Sequence, residues 1–261
     1  MNMALTEASP TARPLGLGGR IVTAEAFTDV DELALDGTAI VVNTGMRDVW
    51  VGEGPSRPLP PLHSAELTGA RVGQADSLVV LRTSEDTGGR AADIVTEPGW
   101  HLLGDLLGDG LDVTGGIPFD PATPLWKGPQ ATLGRVDLAP AHLLRETAGA
   151  SPVLPFEVRV NLWFAPAGTD CFIHNAHDFI EVHTQVLGTG RMQKFSRQDH
   201  GTRYEDQVMS PGWTTPHPFC ATGADGSFQY PWHQYRADTD CVWLAVEYHR
   251  VTEPTTTEES R

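Results

Sequence analysis

The chain has 261 residues, 40% of them hydrophobic, with a formal net charge of −16 and only 18 lysines and arginines. That length and apolar content support a real core in one large all-β domain or two small ones, and exclude disorder of the whole. The few cations are scattered, so no nucleic-acid partner is expected, and no anionic membrane surface either.

In chain order, residues 1–19 are rich in Pro, Gly, Thr and Ala and lack periodicity, and residues 252–261 are polar and low in complexity. Both ends are expected to be mobile. No apolar run follows a basic start, and no stretch approaches about 18 consecutive apolar residues. A soluble cytoplasmic protein is the expectation. From residue 20 onward, short runs rich in β-branched and apolar residues recur at 38–44, 48–52, 76–83, 156–166, 178–188 and 241–251, separated by Gly, Pro and Asp. Such spacing predicts a sandwich or barrel.

Leucines at helical spacing within 96–109 and 137–149 predict two short helices or helical turns. Between them, residues 115–134 hold Pro and Gly too densely for either regular element and predict a long ordered loop, a candidate lid whose part around Pro118 to Pro129 should approach the site. The units expected are therefore a flexible 1–19, a β-rich 20–149, a barrel over 150–251 and a flexible 252–261. Cys171, Cys220 and Cys241 are odd in number and widely spaced, so neither a disulfide framework nor a CxxC zinc site is expected.

Histidine usage divides the chain. His63, His101 and His142 precede residue 150, whereas seven lie between His174 and His249. In the stretch 168–192, His177, Phe179, Glu181, His183 and Gln185 alternate with Asp178, Ile180, Val182, Thr184 and Val186. A strand points successive side chains to opposite faces, so one face collects imidazoles, a carboxylate and an amide while the other can pack. A solvent-facing strand would hold Lys, Thr and Ser there; a ligand-lined interior fits better. Imidazole with carboxylate suits a divalent first-row metal: iron, manganese, nickel, copper or zinc.

The order Gly168, five residues, His174, then His177, three residues, Glu181, six residues, Gly188 resembles the first motif of the cupin family. It departs from the pattern in one respect, since the first two histidines stand three apart instead of two. A β-bulge at Asn175 or Ala176 would absorb the extra residue; without it His174 would point outward and His183 would replace it. The family's second motif supplies a further histidine after a Pro and Gly turn, here Pro211, Gly212 and His217, with His233 as the competitor.

The resemblance covers about residues 168–249. It implies a double-stranded β-helix, or jelly roll, in the C-terminal half, and leaves the β-rich N-terminal half open as a degenerate second barrel, a bicupin-like arrangement, or as an extension capping the first. It further implies metal ligands His174, His177, Glu181 and His217, with His183, Gln185, His233 and Tyr235 orienting ligands or moving protons. The function expected is a mononuclear non-haem cupin oxygenase, with Fe(II) before Mn, Ni, Cu or Zn, acting on a small organic substrate. The alternatives are a metal-dependent isomerase, lyase or hydrolase, and a non-catalytic small-molecule-binding cupin. Exposed edge strands suggest a homodimer.

Overall fold

The computed structural model describes residues 12–251 apart from 18, 53–57, 85–89, 108–116, 147–151 and 216–217. In the first half, β1 (Ala12–Pro14), β2 (Val22–Val30), β3 (Leu33–Ala34), β4 (Thr38–Asn43), β5 (Ser64–Thr68), β6 (Arg71–Val72) and β7 (Ala75–Thr83) follow one another. Five of them form an antiparallel sheet in the order β1-β2-β7-β4-β5, and β3 pairs with β6. A 3-10 turn at Ala91–Thr96 then leads to β8 (His101–Leu102) and helix α1 (Leu103–Leu107).

The second half comprises β9 (Trp126–Leu138), helix α2 (Pro140–Leu144), β10 (Leu154–Ala165), β11 (Phe179–Leu187), β12 (Gly190–Phe195) and β13 (Arg203–Met209). It ends with β14 (Ala221–Thr222), β15 (Phe228–Gln229), β16 (Trp232–Ala237) and β17 (Cys241–Arg250). Its larger sheet runs β11-β17-β10-β9-β8, and a three-stranded sheet runs β13-β12-β16. The two pack face to face through Met192, Met209, Tyr235, Ala237 and Trp243, closing an all-β barrel of the kind the cupin resemblance implies.

Strict alternation explains why the larger sheet is buried on both sides. Val158, Val160, Leu162 and Phe164 of β10, Ile180, Val182 and Val186 of β11, and Val242, Leu244, Val246 and Tyr248 of β17 all point away from the barrel lumen. They join Ala24, Ala26, Ile40, Val42, Val79 and Leu81 of the first half in one continuous core. The opposite face of the N-terminal sheet holds a second core, Phe27, Val41, Leu78 and Val80 among others. The first half thus encloses a filled apolar interior, as a degenerate second barrel would. Polar ties reinforce the seam: the Ser64 hydroxyl bonds the Gly212 carbonyl (2.9 Å) and Thr214, and the Tyr248 hydroxyl donates to the Thr44 carbonyl at 3.2 Å.

Several expectations change here. Ala12–Pro14 form a strand and Leu15 and Leu17 are buried, so the ordered fold begins inside the N-terminal segment expected to be mobile. Among the described residues of the two leucine-bearing stretches, α-helix covers Leu103–Leu107 and Pro140–Leu144. The second part of the expected 115–134 loop is β9, which pairs along β10 across the boundary expected near residue 149. Pro129 is tolerated because it falls, with Gly128, at a register shift between β9 and β10, a bulge where the ladder is already interrupted.

Gly188 turns the chain from β11 into β12 at φ 76°, and a Cβ there would lie 2.0 Å from the Asp240 carbonyl oxygen. We expect Gly188→Ala to lower unfolding free energy by more than about 1 kcal/mol, from both the left-handed backbone and the clash. Gly16→Ala, with nothing within 4 Å of its Cβ, should have far less effect. Urea unfolding of the two variants checks this, and equal midpoints would contradict it.

Candidate metal centre

The odd-numbered residues of β10, β17 and β11 as far as Gln185 face the lumen, and pairing stacks them in rows. Phe179 of β11 stands opposite His249 of β17, Glu181 opposite Glu247, and His183 opposite Ala245. On the far side of β17, Glu247 stands opposite Arg159 of β10 and Trp243 opposite Trp163. The inward face read from the 178–188 run therefore continues across two further strands.

His174, His177 and His233 offer ring nitrogens that all lie within 4.8 Å of one another. His233 comes from β16 in the small sheet, and His174 from the segment before β11. The two backbones exchange hydrogen bonds at 3.0 and 2.9 Å, which clips that segment to β16. His174 Nδ1 lies 3.0 Å from the Phe172 carbonyl and His233 Nδ1 lies 2.9 Å from the Pro231 carbonyl. A carbonyl can only accept, so each Nδ1 carries the proton and each Nε2 is left with its lone pair. His177 Nε2 stands 3.2 Å from His233 Nε2 and 3.3 Å from Glu181 Oε1. Donors bound to one ion at about 2.0–2.2 Å would stand roughly 3 Å apart, so this set fits a divalent metal.

Electrostatics agree with that fit. Burial lowers the pKa of His174, and holds His177 and His233 well below the ordinary imidazole range with added repulsion from neighbouring histidines. All three are thus kept in the neutral, ligating form. Burial pushes the Glu181 carboxyl up to about 8, helped by Glu247 and opposed by Lys127. The close contact between His177 and Glu181 is therefore one of neutral groups in the protein alone, and a bound cation would draw the carboxylate out.

The expected bulge is replaced by another device. His174 makes an isolated bridge to His233, β11 starts only at Phe179, and the residues between form no regular strand. Phe172 sits at φ 134°, a region that a bulky side chain rarely adopts, and its carbonyl is the one that fixes the His174 ring. His174 faces the cavity without a bulge and groups with His177 and His233, while His183 lines the same wall.

The other candidates disperse. His217 lies outside the described residues, and His233 stands with the two other histidines. His183 lines the cavity, its imidazole pushed down to about 4 chiefly by burial, its ring 4.2 Å from that of Tyr235. The Tyr235 hydroxyl lies beside Thr215 without a hydrogen bond of good geometry. Gln185 shares the inward face but donates to the Leu187 carbonyl at 2.5 Å and is not part of the cavity wall. Cys171 lines the wall as a thiol, because burial, then Cys241 and Asp170, push its pKa far up.

The cavity beside the histidines has a volume of about 520 Å³. Leu103 and Leu106 of α1, Phe119, Leu125, Phe172 and Phe179 give it mostly apolar walls. The Pro-rich segment reaches it through Phe119, whose ring meets Phe172 edge-on at 5.4 Å. The Gln198 amide fastens that segment, accepting from the Ile117 N–H at 2.6 Å and donating to the Ile117 and Ile173 carbonyls.

Sequence reasoning missed Glu247 and its partners. Burial would raise the Glu247 carboxyl, but hydrogen bonds from His249 (2.8 Å) and Asn161 (2.7 Å) outweigh it and hold the group below its ordinary value. The signal was present in the alternation of Glu247 and His249 with buried Tyr248, and of Arg159 and Asn161 with Val160.

No protein-family model and no curated protein matches the chain. Among solved structures it is similar to a cupin-2 conserved barrel domain protein from Leptotrichia buccalis, at 12% identity over 94% of this chain and 91% of that one, with a TM-score of 0.28. It is similar to oxalate decarboxylase of Bacillus subtilis at 11% identity over 95% and 75% of the two chains, TM-score 0.30. Ectoine synthase from P. lautus is similar at 16% identity over 62% of this chain and 94% of that one, TM-score 0.27. Likenesses this distant carry no argument about activity, and the description of an all-β barrel rests on the chain's own sheet order and inward-facing residues. Among the described residues no helix is long and apolar enough to cross a membrane.

One buried phenol braces the ligand-bearing strand. The Tyr230 hydroxyl donates to the Phe179 carbonyl and accepts from the Glu181 N–H, both at 3.0 Å. Tyr230→Phe would leave both backbone groups unsatisfied, and we expect a loss of about 1–3 kcal/mol in denaturant unfolding. An unchanged midpoint would show that Glu181 is positioned by other means.

Proposed function

We propose that the protein is a metal-dependent enzyme acting on a small organic substrate in the apolar cavity, and that its reaction is an oxygenation with Fe(II) as the resident ion. The supporting observation is the convergence of the His174, His177 and His233 ring nitrogens beside Glu181 at the edge of a largely apolar pocket. Bound there, such an ion would supply Lewis-acid and redox chemistry to the substrate; Mn, Ni, Cu and Zn suit the same donors.

The chain's own residues do the rest. The carbonyls of Phe172 and Pro231 hold two imidazoles in the tautomer that presents Nε2 to the ion. Leucines of α1 with Phe119 and Leu125 keep water from the reacting centre, and their apolar surface accommodates an uncharged gas better than it does water. Glu181, buried and bordering Glu247, is placed to take a proton from a substrate and to hold it at its carboxyl oxygen. Tyr235 offers a hydroxyl with no protein partner among the described residues, free to donate to a substrate oxygen.

A second reading, metal-dependent isomerase, lyase or hydrolase chemistry, is favoured by one feature. Glu247 backs His249 in the cavity wall while Asn161 clamps the other carboxylate oxygen, and an imidazole so oriented is a general base.

Elemental analysis of protein purified without chelator or affinity metal separates these readings, followed by anaerobic addition of Fe(II) and measurement of oxygen consumption with candidate substrates. We expect about one iron per chain and substrate-dependent oxygen uptake. We also expect His233→Ala to retain its fold by circular dichroism and to lose metal affinity at least about tenfold. Bound zinc, nickel or manganese with turnover but no oxygen uptake would favour the second reading. A metal-free wild type, or full metal in His233→Ala, would defeat the metal reading and leave a binding protein.

A further inference from the structure

The cavity wall is not uniformly apolar. Besides the histidines, it carries two cations, Lys127 on β9 and Arg159 on β10. Arg159 is already engaged, its Nε donating to Glu157 at 2.5 Å. Lys127 is half-buried and has no ion-pair partner among the described residues; its ammonium lies 5.3 Å from the centroid of the Trp163 ring, which lines the same wall. Partial burial costs the ammonium hydration; Glu181 and Glu247 attract it from across the cavity without forming a contact ion pair, and the aromatic face replaces only part of what is lost. A ligand anion would restore the remainder.

We propose that the cavity binds a monocarboxylate with an apolar body, its carboxylate held at Lys127 and its body against the leucines and phenylalanines between Lys127 and the histidines. The proposal rests on the reading of this cavity as the substrate site.

Charge balance points to one negative charge on the ligand. Glu157 offsets Arg159, while Glu181 and Glu247 together match the charge of a divalent ion at the histidines, so Lys127 is the cation left over. A phosphate dianion would leave the cavity with an excess negative charge beside two buried carboxylates. The remaining cations near the histidine segment do not compete. Arg191 pairs with Asp206 and Asp238, Lys194 with Glu205, and Arg203 with Asp206, at distances of 2.7–3.3 Å. Arg197 is largely exposed and lies 3.9 Å from Asp199. None of these four lines the cavity.

Sheet order sets the scale of the ligand. β9 is three strands from β11, roughly 14 Å measured along the sheet and less across the curled lumen. A cavity of about 520 Å³ is in the range for a small-molecule site, and a body of about six to ten carbons spans it.

Calorimetric titration of the metal-loaded protein with hexanoate and phenylacetate, and with the neutral amides of both acids, tests the proposal. We expect the wild type to bind the acids at least about tenfold more tightly than the amides, a preference that weakens as salt is raised. Lys127→Met should abolish the preference without altering metal content, and Lys127→Arg should keep most of it. Absence of any preference in the wild type, or a preference unchanged in Lys127→Met, would overturn the subsite, the latter because the carboxylate would then be held elsewhere, at the metal. Metal content of each sample keeps the two readings separate. A metal-free protein whose preference still depends on Lys127 supports the subsite while removing the metal reading, and a metal-loaded protein without preference does the reverse.

Discussion

The structure depends on one sheet that is buried on both faces for opposite reasons. β10, β11 and β17 present a largely apolar surface, interrupted by Thr184, to the first half of the chain, and that surface contributes Phe156, Leu162, Ile180, Val246 and Tyr248 to the shared core. Burial of apolar area at roughly 25 cal/mol per Å² holds the register in place, because a slip by one residue would turn every one of these side chains into the lumen and every lumen group into the core. The same register sets Glu181 opposite Glu247 and Glu247 opposite Arg159. Stability and site geometry are thus consequences of a single alternation, in which the apolar half supplies the energy that lets a charged half be enclosed.

Enclosing that face has a cost, which appears as lowered histidine basicity and a raised Glu181 pKa. Both changes prepare the site for a cation. Neutral imidazoles ligate, and a carboxyl whose ionisation is opposed by burial gains most when a positive ion arrives. Phe172 fits the same logic. Its unusual backbone places a carbonyl where it can orient His174, and a local strain of order 1–3 kcal/mol is sustained by packing of its ring against Phe119 and by the Gln198 amide that ties the segment down.

What was legible in the sequence followed from periodicity. The alternation from Phe179 to Gln185 matches the inward face of β11, and the concentration of histidines after His174 marks the stretch from which the candidate cluster is drawn. Two kinds of information were not there. Which distant histidine completes the cluster depends on how β16 returns beneath the first motif, and a backbone bridge between His174 and His233 leaves no local signature. The extra residue between His174 and His177 is absorbed by irregular chain ahead of β11, a choice set by tertiary packing that spacing rules do not encode. The reading of 115–134 as loop holds for 117–125 and fails from Trp126 on, because Pro and Gly were weighed as breakers although Gly128 and Pro129 fall at a bulge that a strand accommodates.

The two halves show how little of the chemistry belongs to the architecture. Each builds a five-stranded antiparallel sheet with an outer face in the shared core and an inner face of its own. In the first half the inward positions hold Phe27, Val41, Leu78 and Val80, which form a buried apolar cluster. In the second the inward positions of β10, β11 and β17 hold histidine, glutamate, arginine and asparagine beside aromatic residues, and a cavity with mostly apolar walls lies next to them. The apolar first half supplies the back wall against which that lining can be held.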